Sequence, residues 1–487
     1  MDKTDNRHLI IKNDMEGYTP TQTKMATSKL STLVIRYSLP TMAGMLINAL
    51  YNVVDRFWIG KLPGTAALTG VGVVMPIMNI IMAFAQLVGI GTATNISIKL
   101  GQNDKAGAQR VLNNALVLST IFSVIISILG VIFAPQIMRL VGASDETLPY
   151  ALDYGRIIVG FSIFQMTSFS MNHAIRATGN PTRFASTQFL GAAVNMVLDP
   201  IFIFTFNMGA AGAAIATVIA QFASAVWIFS YYFGKNTQLR FKFSDMKIDM
   251  RIVKAIFAIG LSPFLMQVSG AFVNGVLNNT LATYGNIAYG PGGGDLSIGA
   301  MALITSIAML ILMPVIGINQ GTQPIIGFNY GRRDYRRVKG AYTWACIYGT
   351  IICTLGWIAV QFYAPVLVSI FSTEVDLVEI TSRGMRTYLF CLPVIGYQAQ
   401  SSNFFTAIGR AKLSIFVSAL RQIIILIPLY IILPQFFGLF GIWYAGPIAD
   451  FFAAALAGIF IVKEFKKIDM REEEEIREAR NNLSMAD

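Results

Sequence analysis

Carboxylates are scarce inside the apolar stretches of this chain, and two of them sit in polar company. The segment INALYNVVDRFWIG places Asp55 four residues after Tyr51 and seven after Asn48. Residues so spaced share one face of a helix. The segment NMVLDPIFIF repeats the pattern, with Asn195 and Asp199 four apart and Pro200 directly behind. A proline removes a backbone donor and bends a helix, which leaves a carbonyl free for a ligand or water. Thr217 and Gln221 show the same four-residue spacing in the next apolar stretch. Two carboxylates gathered in one low-dielectric pocket cannot both stay ionised cheaply. They take up a proton, or share a small cation such as Na+ with the amide and hydroxyl oxygens around them. Such a pair can couple the movement of a solute to an ion gradient. The plainer reading of Asp55 is a side chain that meets water at the membrane interface beside Arg56. That reading is weaker for Asp199, which the pattern places deeper. A third acid, Asp450 in GPIADFFAAALAG, faces Arg421 on the preceding apolar stretch. That pair reads as a structural salt bridge.

The elements that must hold these residues are membrane helices. Of the 487 residues 54% are hydrophobic and only 13% charged, against about 25% charged in soluble proteins. Stretches such as 34–59, 75–98 and 252–282 each exceed the roughly 20 residues that cross a bilayer. The chain reads as an all-α integral membrane protein with twelve spans, at 33–60, 66–98, 109–135, 150–174, 184–206, 209–233, 252–283, 297–325, 339–366, 384–406, 412–434 and 438–462. With the N-terminus inside, 30 of the 37 Lys and Arg residues fall on the cytoplasmic side. That asymmetry places both termini in the cytoplasm of a cell whose plasma or inner membrane the chain spans. The net charge of +11 is then topology rather than a nucleic-acid surface. Cys346, Cys353 and Cys391 all lie in apolar spans, so no disulfide framework is visible. The first 30 residues lack an apolar h-region and do not read as a cleavable signal. The tail REEEEIREARNNLSMAD reads as a solvated helix.

Enzymatic readings find little support. His8 and His173 are far apart and suggest no metal site. No G-x-x-x-x-G-K-[ST] occurs, and PGGGD at 291–295 lacks the lysine of a phosphate-binding loop. No cofactor is called for, and the coupling ion is H+ or Na+. The solutes that suit an acidic cleft rich in Met and Phe are cationic or aromatic small molecules. Apart from membrane lipid, no further partner is called for.

The chain also repeats itself. GTATNISIKLGQND at 91–104 returns as GTQPIIGFNYGRRD at 321–334, an offset of 230 residues. Ala134–Pro135 returns as Ala364–Pro365, Arg156 as Arg386, and Ala177 with Gly179 as Ala407 with Gly409. Each half holds six spans, so both insert with the same orientation and form two pseudo-symmetric lobes, as in parallel-repeat transporters. The expected organisation is a polar leader at 1–30, an N-lobe at 31–233, a linker at 234–251, a C-lobe at 252–465 and a charged tail at 466–487. The halves differ in their acids. At the place of Asp199 the second half reads RQIIILIPLY, and Asn278 stands opposite Asp55.

Four stretches carry a family resemblance: SLPTMAGMLINALYNVVDRFWIGKL, GTATNISIKLGQND, RATGNP at 176–181, and NMVLDPIFIF followed by GAAGAAIAT. Over residues 30–465 the chain resembles the multidrug and toxic compound extrusion (MATE) family, in particular its prokaryotic branches with acids in the N-lobe. The resemblance implies a V-shaped pair of six-helix lobes that exports cationic compounds in exchange for H+ or Na+. It implies that Asp55 and Asp199 bind the coupling ion, with Tyr51, Asn195, Thr217 and Tyr154 in their network. It places solute contacts near Asn48, Asn172 and Gln221. Some branches use an acid in the seventh span, and FVNGVLNNTLATYG here has none. The alternative is a flippase for a lipid-linked precursor, which calls for a strongly basic central cavity.

Overall fold

The computed structural model describes residues 17–60, 65–234, 237–242 and 246–486. Among the described residues every regular element is a helix. A short helix α1 (Pro20–Thr27) is followed by α2 (Leu30–Gly60), α3 (Thr65–Gly101), α4 (Lys105–Ile132), α5 (Ala134–Leu140), α6 (Leu148–Gly160), α7 (Ser162–Ala177), α8 (Pro181–Pro200) and α9 (Gly209–Phe233). The second half holds α10 (Met250–Tyr289), α11 (Gly293–Gly331), α12 (Tyr335–Ser369), α13 (Val375–Tyr388), α14 (Leu392–Ala407), α15 (Ala411–Ala419), α16 (Ile427–Phe437) and α17 (Leu439–Ala486). Two π-helical segments, Ile201–Thr205 and Leu420–Leu426, extend α8 and join α15 to α16.

Among the described residues, ten helical stretches are long and apolar enough to cross a membrane. The fourth and tenth crossings are each two short helices in tandem, α6 with α7 and α13 with α14. The chain thus makes twelve crossings in two lobes of six. The breaks recur with the repeat. Phe161 (φ −105°, ψ 18°) interrupts the fourth crossing and Cys391 (φ −90°, ψ 17°) the tenth, 230 residues on. Phe133 (φ −97°, ψ 18°) and Tyr363 (φ −119°, ψ 22°) kink the third and ninth at the same offset. Left-handed Asn103 (φ 58°) and Arg333 (φ 62°) end the second and eighth crossings. The next residue then caps the following helix. Asp104 accepts from the Gly107 N–H at 2.7 Å, and Asp334 from that of Arg337 at 3.2 Å. The backbone preserves the duplication far better than the side chains do.

The lobes meet at the end that carries the Lys/Arg-rich loops. There α3 crosses α10 and α2 crosses α11 with almost no side chain between them. A Cβ on Gly91 of α3 would stand 2.2 Å from the Ile256 carbonyl oxygen of α10, and one on Gly321 of α11 2.6 Å from the Ser38 Cα of α2. Thr41 Oγ1 donates to the Gly317 carbonyl at 2.6 Å. Within the stretch read as a polar leader, α1 straps this seam. Tyr18 bonds the Gly101 carbonyl at 2.8 Å on one lobe, and Arg337 of the other bonds Met25 and Ser28 carbonyls at 3.1 and 2.8 Å. Residues 1–16, with His8, lie outside the described residues. So do 235–236 and 243–245 of the linker. The rest of the linker is stitched to α4, where Asn113 and Asn114 donate to the Lys242 and Lys247 carbonyls at 3.2 and 3.3 Å.

The tail forms the largely exposed helix read for it. It continues the last crossing without a break, and Arg333 meets Glu475 at 3.1 Å while Lys339 pairs with Asp469. The alternation of small residues inside with Ile128, Phe272, Leu355 and Phe362 outside, each more than half exposed, leaves an apolar belt that suits lipid.

Candidate functional site

The acid pair forms in the first lobe. Asp55 comes late on α2 and Asp199 is the last residue of α8 before Pro200. Pro200 offers no N–H to the preceding turn, and the backbone answers with the π segment Ile201–Thr205, in which the Phe206 N–H reaches the Ile201 carbonyl at 3.0 Å. Such local widening is common at functional sites. It sets the Asp199 carboxyl against that of Asp55. Asp199 is fully buried and Asp55 is 8% exposed.

Three neighbours complete the cluster. Asn195, one turn before Asp199, donates to Asp199 Oδ1 at 3.0 Å and to Thr217 Oγ1 at 3.3 Å. Tyr51 on α2 and Tyr154 on α6 stand beside Thr217 and the two acids. Four crossings thus converge on one buried polar point. Among the described residues no basic side chain stands against Asp199. Two carboxyl groups that meet away from water need a proton or a cation between them. The surrounding oxygens of Asn195, Thr217, Tyr51 and Tyr154 are the donor set a hard cation accepts, and the same set accommodates a shared proton.

The expected solute contacts divide. Asn48 and Gln221 lie on the same helices as the acid cluster, one to two turns from it, and Gln221 Oε1 is buried with no partner among the described residues. Asn172 does not join them. It sits near the basic end of α7, its Nδ2 bonding the Phe184 carbonyl at 3.3 Å. Tyr154 lies 18 residues earlier on the same crossing, about 27 Å away along the helix. A groove of about 870 Å³ in the second lobe, lined by Ser372, Val378, Glu379, Arg383 and Arg386 among others, contains none of the candidate residues.

The second lobe has its own polar centre. Arg421, in the π segment Leu420–Leu426, donates through Nε to Asp450 Oδ1, and Asp450 is 2% exposed. Tyr388 and Tyr430 share a hydroxyl contact at 3.0 Å beside them. Where the first lobe gathers two acids, the second holds an acid already matched by a guanidinium.

One group escaped the sequence reading. Arg176 of α7 is 1% exposed and reaches into the other lobe, to the Gln320 carbonyl and, at 2.8 Å, to Gln323 Oε1. Gln323 returns the contact, donating to Thr94 Oγ1 at 2.8 Å. The sequence signal is an arginine two residues beyond the apolar span at 150–174, in RATGNP, which charge counting alone assigns to topology.

Known proteins match this architecture closely. The family model described as MatE matches residues 40–201 and again 271–432. The multidrug export protein MepA of Staphylococcus haemolyticus (strain JCSC1435) is 28% identical over 435 residues, which cover 89% of this chain and 94% of that protein. MepA of Staphylococcus aureus (strain MSSA476) is 26% identical over 441 residues, 90% of this chain and 95% of its own. An outward-facing multidrug resistance MATE family transporter of the MOP superfamily superposes with a TM-score of 0.87 at 26% identity, over 93% of this chain and all of its own. A MOP superfamily transporter from Pyrococcus furiosus Vc1, whose pocket of reversed polarity suggests a different function for it, superposes at 0.86 with 26% identity, over 93% of this chain and 99% of its own.

Proposed function

The chain belongs to the MatE family of membrane transporters, and from that premise we propose that it exports cationic amphiphilic compounds by alternating access, in exchange for H+ or Na+ bound at the Asp55–Asp199 pair. The observation that carries the reading is the buried meeting of those two carboxyls, with Asn195, Thr217, Tyr51 and Tyr154 around them. Loading the site with an ion removes the repulsion between the acids. Emptying it restores the repulsion and favours a different packing of α2 against α8. The lobes, proposed at 31–233 and 252–465, then rock about their seam. Asn48 and Gln221, next to the acids, are the proposed solute contacts, so that ion and solute compete for one region of the first lobe. Arg421 and Asp450 hold the second lobe together and take no part in coupling. We place the protein in the cell membrane with both termini in the cytoplasm.

The test is ethidium efflux from proteoliposomes under an imposed pH gradient or an imposed Na+ gradient. Efflux driven by one gradient, and reduced at least tenfold in Asp199→Asn and Asp55→Asn, identifies the ion and supports the pair. Gradient-driven efflux at the wild-type rate in Asp199→Asn would sink the reading. The absence of efflux in wild type under either gradient would favour the alternative, a flippase for a lipid-linked precursor.

A further inference from the structure

Arg176 poses a problem that the acid pair does not solve. Its side chain is 1% exposed, yet no carboxylate faces it among the described residues. A buried guanidinium without a counter-charge is costly unless its donors are satisfied. Two of its nitrogens find their partners across the seam. Nη1 bonds the Gln320 carbonyl and Nη2 bonds Gln323 Oε1 at 2.8 Å, both on α11 of the other lobe. Gln323 in turn donates to Thr94 Oγ1 on α3 at 2.8 Å, closing a loop from the first lobe to the second and back. A further contact is within the first lobe, where the Phe184 ring lies 5.5 Å from the guanidinium. Among the described residues Arg176 Nε has no hydrogen-bond partner, so the charge depends on the two cross-lobe bonds.

Those bonds exist only while the lobes touch at the basic end. Separation there takes Gln320 and Gln323 away and leaves the guanidinium to water. We propose that Arg176 is the latch of this seam: a positioning residue that sets the balance between the closed and open forms of the basic end, and so the rate at which the transporter turns over. The inference rests on the rocking of the lobes proposed above, and not on the identity of the ion or the role of the acids. A charge-assisted bond of this kind commands a shift of roughly tenfold in such an equilibrium.

A cysteine at Ser97 reports the seam directly. Ser97 is 1% exposed, and a Cβ on Gly327 of α11 would stand 2.9 Å from its own Cβ. Labelling of Ser97→Cys by a membrane-impermeant maleimide from the basic side measures opening, with the parent chain giving the background from Cys346, Cys353 and Cys391. Arg176→Gln is expected to raise the labelling rate about tenfold, with Arg176→Lys intermediate. Gln323→Leu should reproduce the effect, and the double variant should add little to either. An unchanged rate in an Arg176→Gln protein that melts within a few degrees of wild type would overturn the latch. If Arg176→Gln does not assemble, Gln323→Leu breaks the same contact from the other lobe, and an unchanged rate there overturns it equally. Gradient-driven efflux, measured on the same preparations, is a separate readout. Its absence in wild type counts against the acid pair and leaves the labelling result intact.

Discussion

Single residues carry the contrast between the lobes. Asp199 is buried against another acid, while Asp450 is buried against Arg421. The energetics of the second arrangement are testable without any transport assay. Removing one partner of a buried ion pair strands the other, at a cost of about 3–5 kcal/mol, whereas replacing both by apolar groups is often nearly neutral. Arg421→Met alone should therefore lower the melting temperature more than Arg421→Met with Asp450→Leu. Equal losses in the single and double variants would show that the pair contributes nothing as a pair. Asp104 offers a residue-scale test outside the membrane. Its hydrogen bond from Lys99, with help from the Gly107 N–H, holds its carboxyl below the usual carboxylate range. A group depressed in the folded state stabilises above its unfolded value, about 3.9, and loses that contribution as pH falls through the folded one. Asp104→Ala should cost about 1 kcal/mol at neutral pH. In thermal melts the gap to wild type should hold down to about pH 4 and narrow below it. A gap that widens on acidification would reverse the assignment.

Elements decide what a spacing can do. The four-residue spacings of Asn195 with Asp199 and of Thr217 with Gln221 were legible because helical periodicity is local. That Tyr51 of α2 and Tyr154 of α6 gather beside Thr217 is not legible by spacing, since it depends on how four crossings pack. Asn172 shows the converse: family resemblance groups it with Asn48 and Gln221, and the fold sets it apart from them at the basic end of α7. The π segment after Pro200 was also hidden. Proline announces a lost donor, but not whether the chain kinks, breaks or widens. Pro200→Ala restores the donor and tests the widening. The variant should fold at least as stably as wild type, because an interior helical proline costs on the order of 3 kcal/mol. Coupled efflux should nevertheless fall several-fold, because the regular ladder turns Asp199 away from Asp55. Efflux that falls only in step with the amount of folded protein would show that the π segment is incidental.

At the scale of the whole molecule the repeat organises everything, although only 14 of 96 aligned residues are identical between 91–186 and 321–416. What survives is geometry: the kinks at Phe133 and Tyr363, the breaks at Phe161 and Cys391, the left-handed turns at Asn103 and Arg333. Side chains were free to diverge around that frame, which is how one lobe came to hold an acid pair and the other a salt bridge. Two six-crossing halves with the same orientation must return the chain to its starting side. The loops around residues 103, 178, 240, 333 and 410 therefore share one face with α1 and the tail, and the tail's bonds to Arg333 and Lys339 require the same. By the positive-inside rule the excess of Lys and Arg predicts that this face is cytoplasmic. A green fluorescent protein fused after residue 487 should fluoresce, and alkaline phosphatase fused at the same point should be inactive. Fusions of the phosphatase within 290–294, at the opposite end of α10, should be active. Activity at the C-terminus would invert the molecule, and with it the direction in which a latch at Arg176 and an acid pair at the other end could move a solute.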